Sequence, residues 1–71
     1  LIGAAENIQG VRSTEKCRIR KSGTEFFVEM HVRVEGTISV YAGHEISHRV
    51  KERLIEEHPR IKDVLIHIEP E

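Results

Sequence analysis

The sequence predicts an α+β domain of ferredoxin-like type, an open-faced sandwich in the order helix, strand, strand, helix, strand, with both helices on one face of a three-stranded mixed sheet. Three observations carry this. Phe26, Val28, Met30, Val32 and Val34 keep strict period two, the mark of a strand buried on one face. Val40, Gly43, Ile46, Val50 and Leu54 follow helical spacing until Pro59 forbids continuation. Ser22-Gly23 is a turn pair between two strand-like runs, so the first two strands form a hairpin.

The elements follow in order. Residues 1–9 carry Leu1, Ile2, Ala4, Ala5 and Ile8 with Gly10 as a stop, which predicts a short helix. The run TEKCRIRK, 14–21, alternates: Cys17 and Ile19 point one way, Lys16, Arg18 and Arg20 the other, a half-buried strand with Cys17 as a small core residue. In the second strand, 24–34, Glu25, Phe27, Glu29, His31 and Arg33 occupy the face opposite the apolar set, so His31 points away from the core. Gly36 ends that strand and Ser39 is positioned as the N-cap of the long helix. On that helix His44 lies on the flank of the apolar stripe and His48 further toward solvent. His58 falls at the end, where the helix dipole favours a cationic side chain. The last strand, 63–69, places Val64, Ile66 and Ile68 on one face and Leu65, His67 and Glu69 on the other, before Pro70 stops it. The hairpin makes strands one and two antiparallel, and the helical crossover makes strands two and three parallel, with the second strand central.

Composition narrows the function. With 71 residues this is one domain near the lower limit for a single core. Such a core supplies only about 3–5 kcal/mol, so a metal, a second subunit or a parent protein is expected to help. The chain starts at Leu1 without an initiator Met and has no apolar run near ~18 residues, so it reads as a piece of something longer that does not itself cross a bilayer. Eleven Lys and Arg against twelve Asp and Glu argue against a nucleic-acid binder, which needs excess positive charge. A single cysteine excludes an internal disulfide and a Cys-x-x-Cys motif, and fits a reducing compartment. No nucleophile–base pairing and no phosphate loop points to an enzyme. Five histidines are the informative feature.

The uncovered sheet face carries Phe27, Glu29, His31, Arg33, Leu65, His67 and Glu69. His67 and Glu69 are separated by about 6.6 Å of strand rise, and a neighbouring strand about 4.8 Å away brings His31 within reach. Two imidazoles and a carboxylate suit Zn²⁺ or a similar divalent ion. A polar outer face without a ligand is the alternative that this spacing leaves open. Phe27 and Leu65, apolar among polar neighbours, point to a subunit interface on the same face.

The segment VYAGHEISHRVKERLIEEHPRIKDVLIHIEP, the preceding hairpin CRIRKSGTEFFVEMHVRV and the lead-in Gly10-Val11 resemble the C-terminal cytosolic domain of the cation diffusion facilitator, or cation efflux, transporters. The shared pattern is a Gly-bearing hairpin, a strand ending in a His, a small-residue-plus-His pair at a helix start, then a Pro, then a valine-rich strand closing in His-x-acid-Pro. The resemblance implies that residues 1–71 form a single cytosolic dimerisation and metal-binding domain. It implies a homodimer that binds regulatory metal at or near its interface. It further implies a parent transporter, its transmembrane domain exchanging Zn²⁺ or another divalent ion for protons, with this domain on the cytoplasmic side of the cell membrane. The ligands it implies are His31, His44, His67 and Glu69, the last commonly Asp in relatives. One departure stands out. Many members carry His-Asp at the start of the first strand, where this chain has Glu15-Lys16. Glu15 can substitute as a ligand and Lys16 cannot. His44 would have to reach the cluster around a sheet edge or across the dimer, because its helix packs on the covered face. A soluble metallochaperone of the same fold is the alternative; the missing Cys-x-x-Cys counts against it.

Overall fold

A computed structural model describes residues 2–71, and Leu1, at the start of the first expected helix, lies outside the described residues. The elements are α1 (Ile2–Glu6), β1 (Ser13–Ser22), β2 (Glu25–Val34), α2 (Val40–Glu57) and β3 (Ile61–Pro70). The strand order is β1-β2-β3, antiparallel between β1 and β2 and parallel between β2 and β3. This is the α-β-β-α-β mixed sheet that the periodicities predict. Among the described residues no helix is long and apolar enough to cross a membrane.

The central strand organises the packing. Val28, Met30, Val32 and Val34 of β2 are buried against Ile46, Val50 and Leu54 of α2, with Ile61 and Val64 of β3 and Ala5 and Ile8 completing the core. Cys17 is half-buried and packs on its edge. The long helix starts where Ser39 Oγ accepts a hydrogen bond from the Ala42 N–H at 3.0 Å. It ends at His58, whose N–H donates to the Leu54 carbonyl, directly before Pro59.

Four details differ from the expectation. The first helix stops at Glu6, not Gln9; Ile8 is nevertheless buried by the turn that follows. Val40 does not belong to the apolar stripe: it is 91% exposed at the first turn of α2. Pro70 does not stop the last strand. It is paired with Val34, and the Glu71 N–H still donates to the Val34 carbonyl at 2.8 Å. A proline is tolerated there because β3 is an edge strand with one side free of ladder bonds. Finally, β1 does not alternate throughout. Its pairing with β2 shifts between Glu15 and Arg18, and Lys16 sits at the irregularity with φ 52°. One extra residue is accommodated there as a β-bulge.

Gly10 turns the chain from α1 toward β1 with φ 98°, and a Cβ at that position would lie 2.7 Å from Ile46 Cδ1. Gly10→Ala is therefore expected to lower stability by about 1–2 kcal/mol from backbone strain alone. Gly3 lies in α1 with open space around it, and Gly3→Ala is expected to stabilise by up to about 0.5–1 kcal/mol. Urea denaturation of both variants measures the contrast. Equal midpoints would show that the Gly10 turn is not held in this conformation.

Candidate metal centre

The sheet register assembles the open face. Antiparallel pairing sets Glu15 opposite His31, and parallel pairing sets His31 opposite His67, so the three form one row across all three strands. The adjoining rows hold Arg33 beside Glu69 and Arg18 beside Glu29 and Leu65. The bulge at Lys16 explains how Glu15 enters this row. Under unbroken alternation Glu15 would share the face of Cys17; the extra residue lets Glu15, Arg18 and Arg20 all pair with open-face positions of β2.

Within the row the His31 and His67 rings stack, with centroids 4.4 Å apart and planes 18° from parallel. Each then reaches diagonally to the carboxylate of the opposite strand. His31 Nδ1–H donates to Glu69 Oε2 at 2.6 Å, and His67 Nε2–H donates to Glu29 Oε2 at 2.7 Å. The pattern is Glu-x-His on β2 facing His-x-Glu on β3. Both carboxyls are held below their ordinary range. For Glu29 the hydrogen bond from His67 is the chief cause. For Glu69 it is the hydrogen bond from His31, with the Lys16 charge adding to it. Ionised carboxylates only accept, so the protons reside on the imidazole nitrogens that face them.

Glu29, His31 and His67 each offer a ligand atom, and these atoms all lie within 4.8 Å of one another. Imidazole nitrogen with carboxylate oxygen is the donor set of Zn²⁺ and related first-row ions, so the residues present fit such an ion. Glu69 accepts the His31 Nδ1 proton, the kind of contact by which a carboxylate fixes a ring's tautomer and orientation.

Of the five residues singled out in the sequence, the fold brings His31, His67 and Glu69 together. Glu15 stands in the same row, but its Oε1 accepts a hydrogen bond from Arg33 Nε at 3.2 Å. His44 does not join them. It is exposed on α2, on the covered side of the sheet, and its Nε2 lies 2.9 Å from Nε2 of His48. The helix that carries it must bury Gly43 and Ile46 against the sheet, which turns His44 away from the open face. Glu29 is not among those five, although it shares the face of His31 two residues earlier, the mirror image of the His67–Glu69 pair.

The open face also has an apolar part. Leu65 is 57% exposed, and the Arg20 guanidinium lies 5.5 Å over the half-buried Phe27 ring.

The carboxylate shifts set a pH dependence. A carboxyl whose folded value is depressed contributes stability that is present above its unfolded value, about 4.3 for Glu, and is lost as pH falls through the folded value. Wild-type melting temperature is therefore expected to drop on acidification below about pH 4.3. A Glu29→Gln/Glu69→Gln variant should melt lower than wild type near neutrality and lose less on acidification. Asp63, lowered chiefly by its bond to Lys51, contributes with the same sign in both proteins. Parallel melting curves across the acid range would remove these two carboxylates as the cause.

The whole chain, 1–71, matches the family model described as cation efflux protein, cytoplasmic domain. Metal tolerance protein C1 of Arabidopsis thaliana is 30% identical over 63 residues, covering 89% of this chain and 13% of that protein. Metal tolerance protein 2 of Oryza sativa subsp. japonica is 33% identical over 61 residues, covering 86% and 16%. The chain thus spans a small fraction of the length of these relatives. Among solved structures, a MamM CTD variant superposes with a TM-score of 0.96 at 26% identity, covering 99% of this chain and 88% of that one. Another, described as a cadmium form, gives 0.95 at 28% identity, covering 99% and 88%. With the α-β-β-α-β sheet and the family match in agreement, the chain belongs to the cation efflux proteins, as a cytoplasmic domain.

Proposed function

We propose that this domain is the regulatory and dimerisation module of a divalent-cation transporter, holding a Zn²⁺-class ion on its open sheet face. The observation that carries the reading is the convergence of Glu29, His31 and His67, with Glu69 behind His31. The cadmium form of the related MamM domain supports a divalent transition-metal ion.

The residues divide the work. Glu69 holds the proton of His31 on Nδ1, so the other ring nitrogen is the one free to ligate. His67 Nε2 and Glu29 Oε2 stand 2.7 Å apart, close to the ~2.9 Å between two ligands at right angles on an ion with ~2.05 Å bonds. They share one proton, and a metal ion can take its place only as that proton leaves. Glu15 enters the ligand set only if Arg33 releases it, and His44, on the covered side of its own sheet, reaches an ion on this face only from a second copy. A bound ion supplies a fixed divalent charge that ties β2 to β3. Phe27 and Leu65 on the same face offer the apolar area for a second copy, so the homodimer interface and the ion share one surface. An ion that prefers one relative orientation of the two copies shifts the dimer toward it. In the parent transporter, a zinc/proton exchanger in this reading, the shift passes to the membrane domain through the chain before α1.

Calorimetric Zn²⁺ titration, paired with thermal melts, tests the ion site. Wild type and the control His58→Ala are expected to bind and to gain melting temperature. His31→Ala, His67→Ala and Glu29→Gln are expected to lose at least tenfold in affinity, about 1.4 kcal/mol. Affinity should also fall on acidification, since a protonated imidazole has no lone pair to give. Variants that bind like wild type would reduce the face to a polar surface. Sedimentation equilibrium at micromolar concentration tests the assembly: a dimer tightened by Zn²⁺ is expected, and a monomer with and without the ion would remove the interface.

A further inference from the structure

We propose that the free edge of β1 between Arg18 and Ser22 is a docking site for an extended acidic peptide segment of a partner protein, which adds to the sheet as a further, antiparallel strand. With the order β1-β2-β3, β1 is an edge strand, and among the described residues its outer side has no backbone partner. The register says which groups are left free. Phe26 turns its N–H to the Arg60 carbonyl on the β3 side. Lys21 faces Phe26 and Ile19 faces Val28, so both belong to non-hydrogen-bonded pairs of the hairpin, and their own N–H and C=O groups point outward. Pairing is regular from Arg18 to Ser22, whereas the bulge at Lys16 breaks the edge before it.

The two sides of that edge set the chemistry of the occupant. On the helix side lies an open groove of about 450 Å³ lined by Ile19, Phe26, Val28, Pro59 and Ile61, with Arg60 on its rim. The chain of α1 stands over the start of β1, where Glu6 accepts a hydrogen bond from Thr14 Oγ1, and leaves Ile19 56% exposed at the mouth of the groove. Lys21 shares this side, while Arg18 and Arg20 project on the open side. These are three cations within four residues of a chain whose net charge is −1. Among the described residues none of the three takes part in an ion pair. A residue opposite Ile19 or Lys21 falls on the groove side, and one opposite Arg18 or Arg20 on the open side. An antiparallel segment reading acid–acid–apolar–acid thus sets carboxylates against Lys21, Arg20 and Arg18 and lays one apolar side chain over Ile19. A second copy does not fit, because β1 paired antiparallel with its own kind brings these cations against like charges. An anionic lipid would meet the same cations but leave the Ile19 and Lys21 backbone groups to water, so the free ladder favours a peptide.

The probe is a fluorescein-labelled peptide with the run Glu-Asp-Leu-Glu in a Ser/Gly frame, titrated by anisotropy in the presence of chelator so that no metal contributes. The wild-type domain is expected to bind it, and Arg20→Gln/Lys21→Gln and Ile19→Thr are each expected to weaken binding about tenfold. N-methylation of the Leu amide removes the donor that faces Ile19 and keeps every side chain, and should weaken binding by a similar factor. A peptide with Asp in place of that Leu, although more acidic, should also bind more weakly. Arg20, Lys21 and Ile19 are exposed, and circular dichroism melts check that each variant folds; the two altered peptides test the wild-type domain itself. Absence of binding, full binding of the methylated or the Asp peptide, or binding of phosphatidylserine/phosphatidylcholine vesicles in place of the peptide would overturn the proposal.

Discussion

The parallel pairing of β2 with β3 is the interaction on which the rest of this domain depends. It sets Val28 beside Val64 and Met30 beside Ile66 on the covered face, and His31 beside His67 and Arg33 beside Glu69 on the open one. Side chains on a strand alternate faces, so core and site are two outputs of one register. A slip by one residue would move His31 into the core and Met30 to the surface. Burial of the β2 apolar row against Ile46, Val50 and Leu54 forbids that slip. The hydrophobic core thereby positions the histidines without touching them.

The open face is then governed by charge. The two imidazoles stack, which leaves their edges facing outward along the strands, and a glutamate from the opposite strand meets each edge. Each strand contributes one histidine and one carboxylate, and each hydrogen bond crosses between strands, so the polar ladder reinforces the backbone ladder beneath it. The bulge at Lys16 extends the row to β1 by turning Glu15 outward, where Arg33 neutralises it. In the proposed metal site, protons and a divalent ion would compete for the same nitrogens, linking occupancy to pH.

Four of the five histidines fall into two environments with different chemistry. His31 and His67 are part-buried and paired with carboxylates, on strands whose spacing is fixed by the sheet. His44 and His48 are exposed and paired with each other, on one turn of a helix. The first arrangement draws its precision from long-range pairing; the second needs only local helix geometry and the Ser39 cap that starts it.

The sequence by itself determined the elements, because period two in β2 and helical spacing in α2 are local consequences of backbone geometry. It also determined that His31, His67 and Glu69 look away from the core, since face follows from alternation with the apolar neighbours. Three things were decided only by tertiary structure. Glu15 reached the open face through a one-residue bulge, and a bulge is a property of two paired strands, not of one strand's pattern. Glu29 entered the cluster because His67 arrives from a strand 38 residues away in sequence, a contact that no spacing within β2 encodes. His44 was withheld from the cluster because α2 must bury Gly43 and Ile46 against the sheet, and that packing fixes the rotation of the helix and so the direction of every side chain on it.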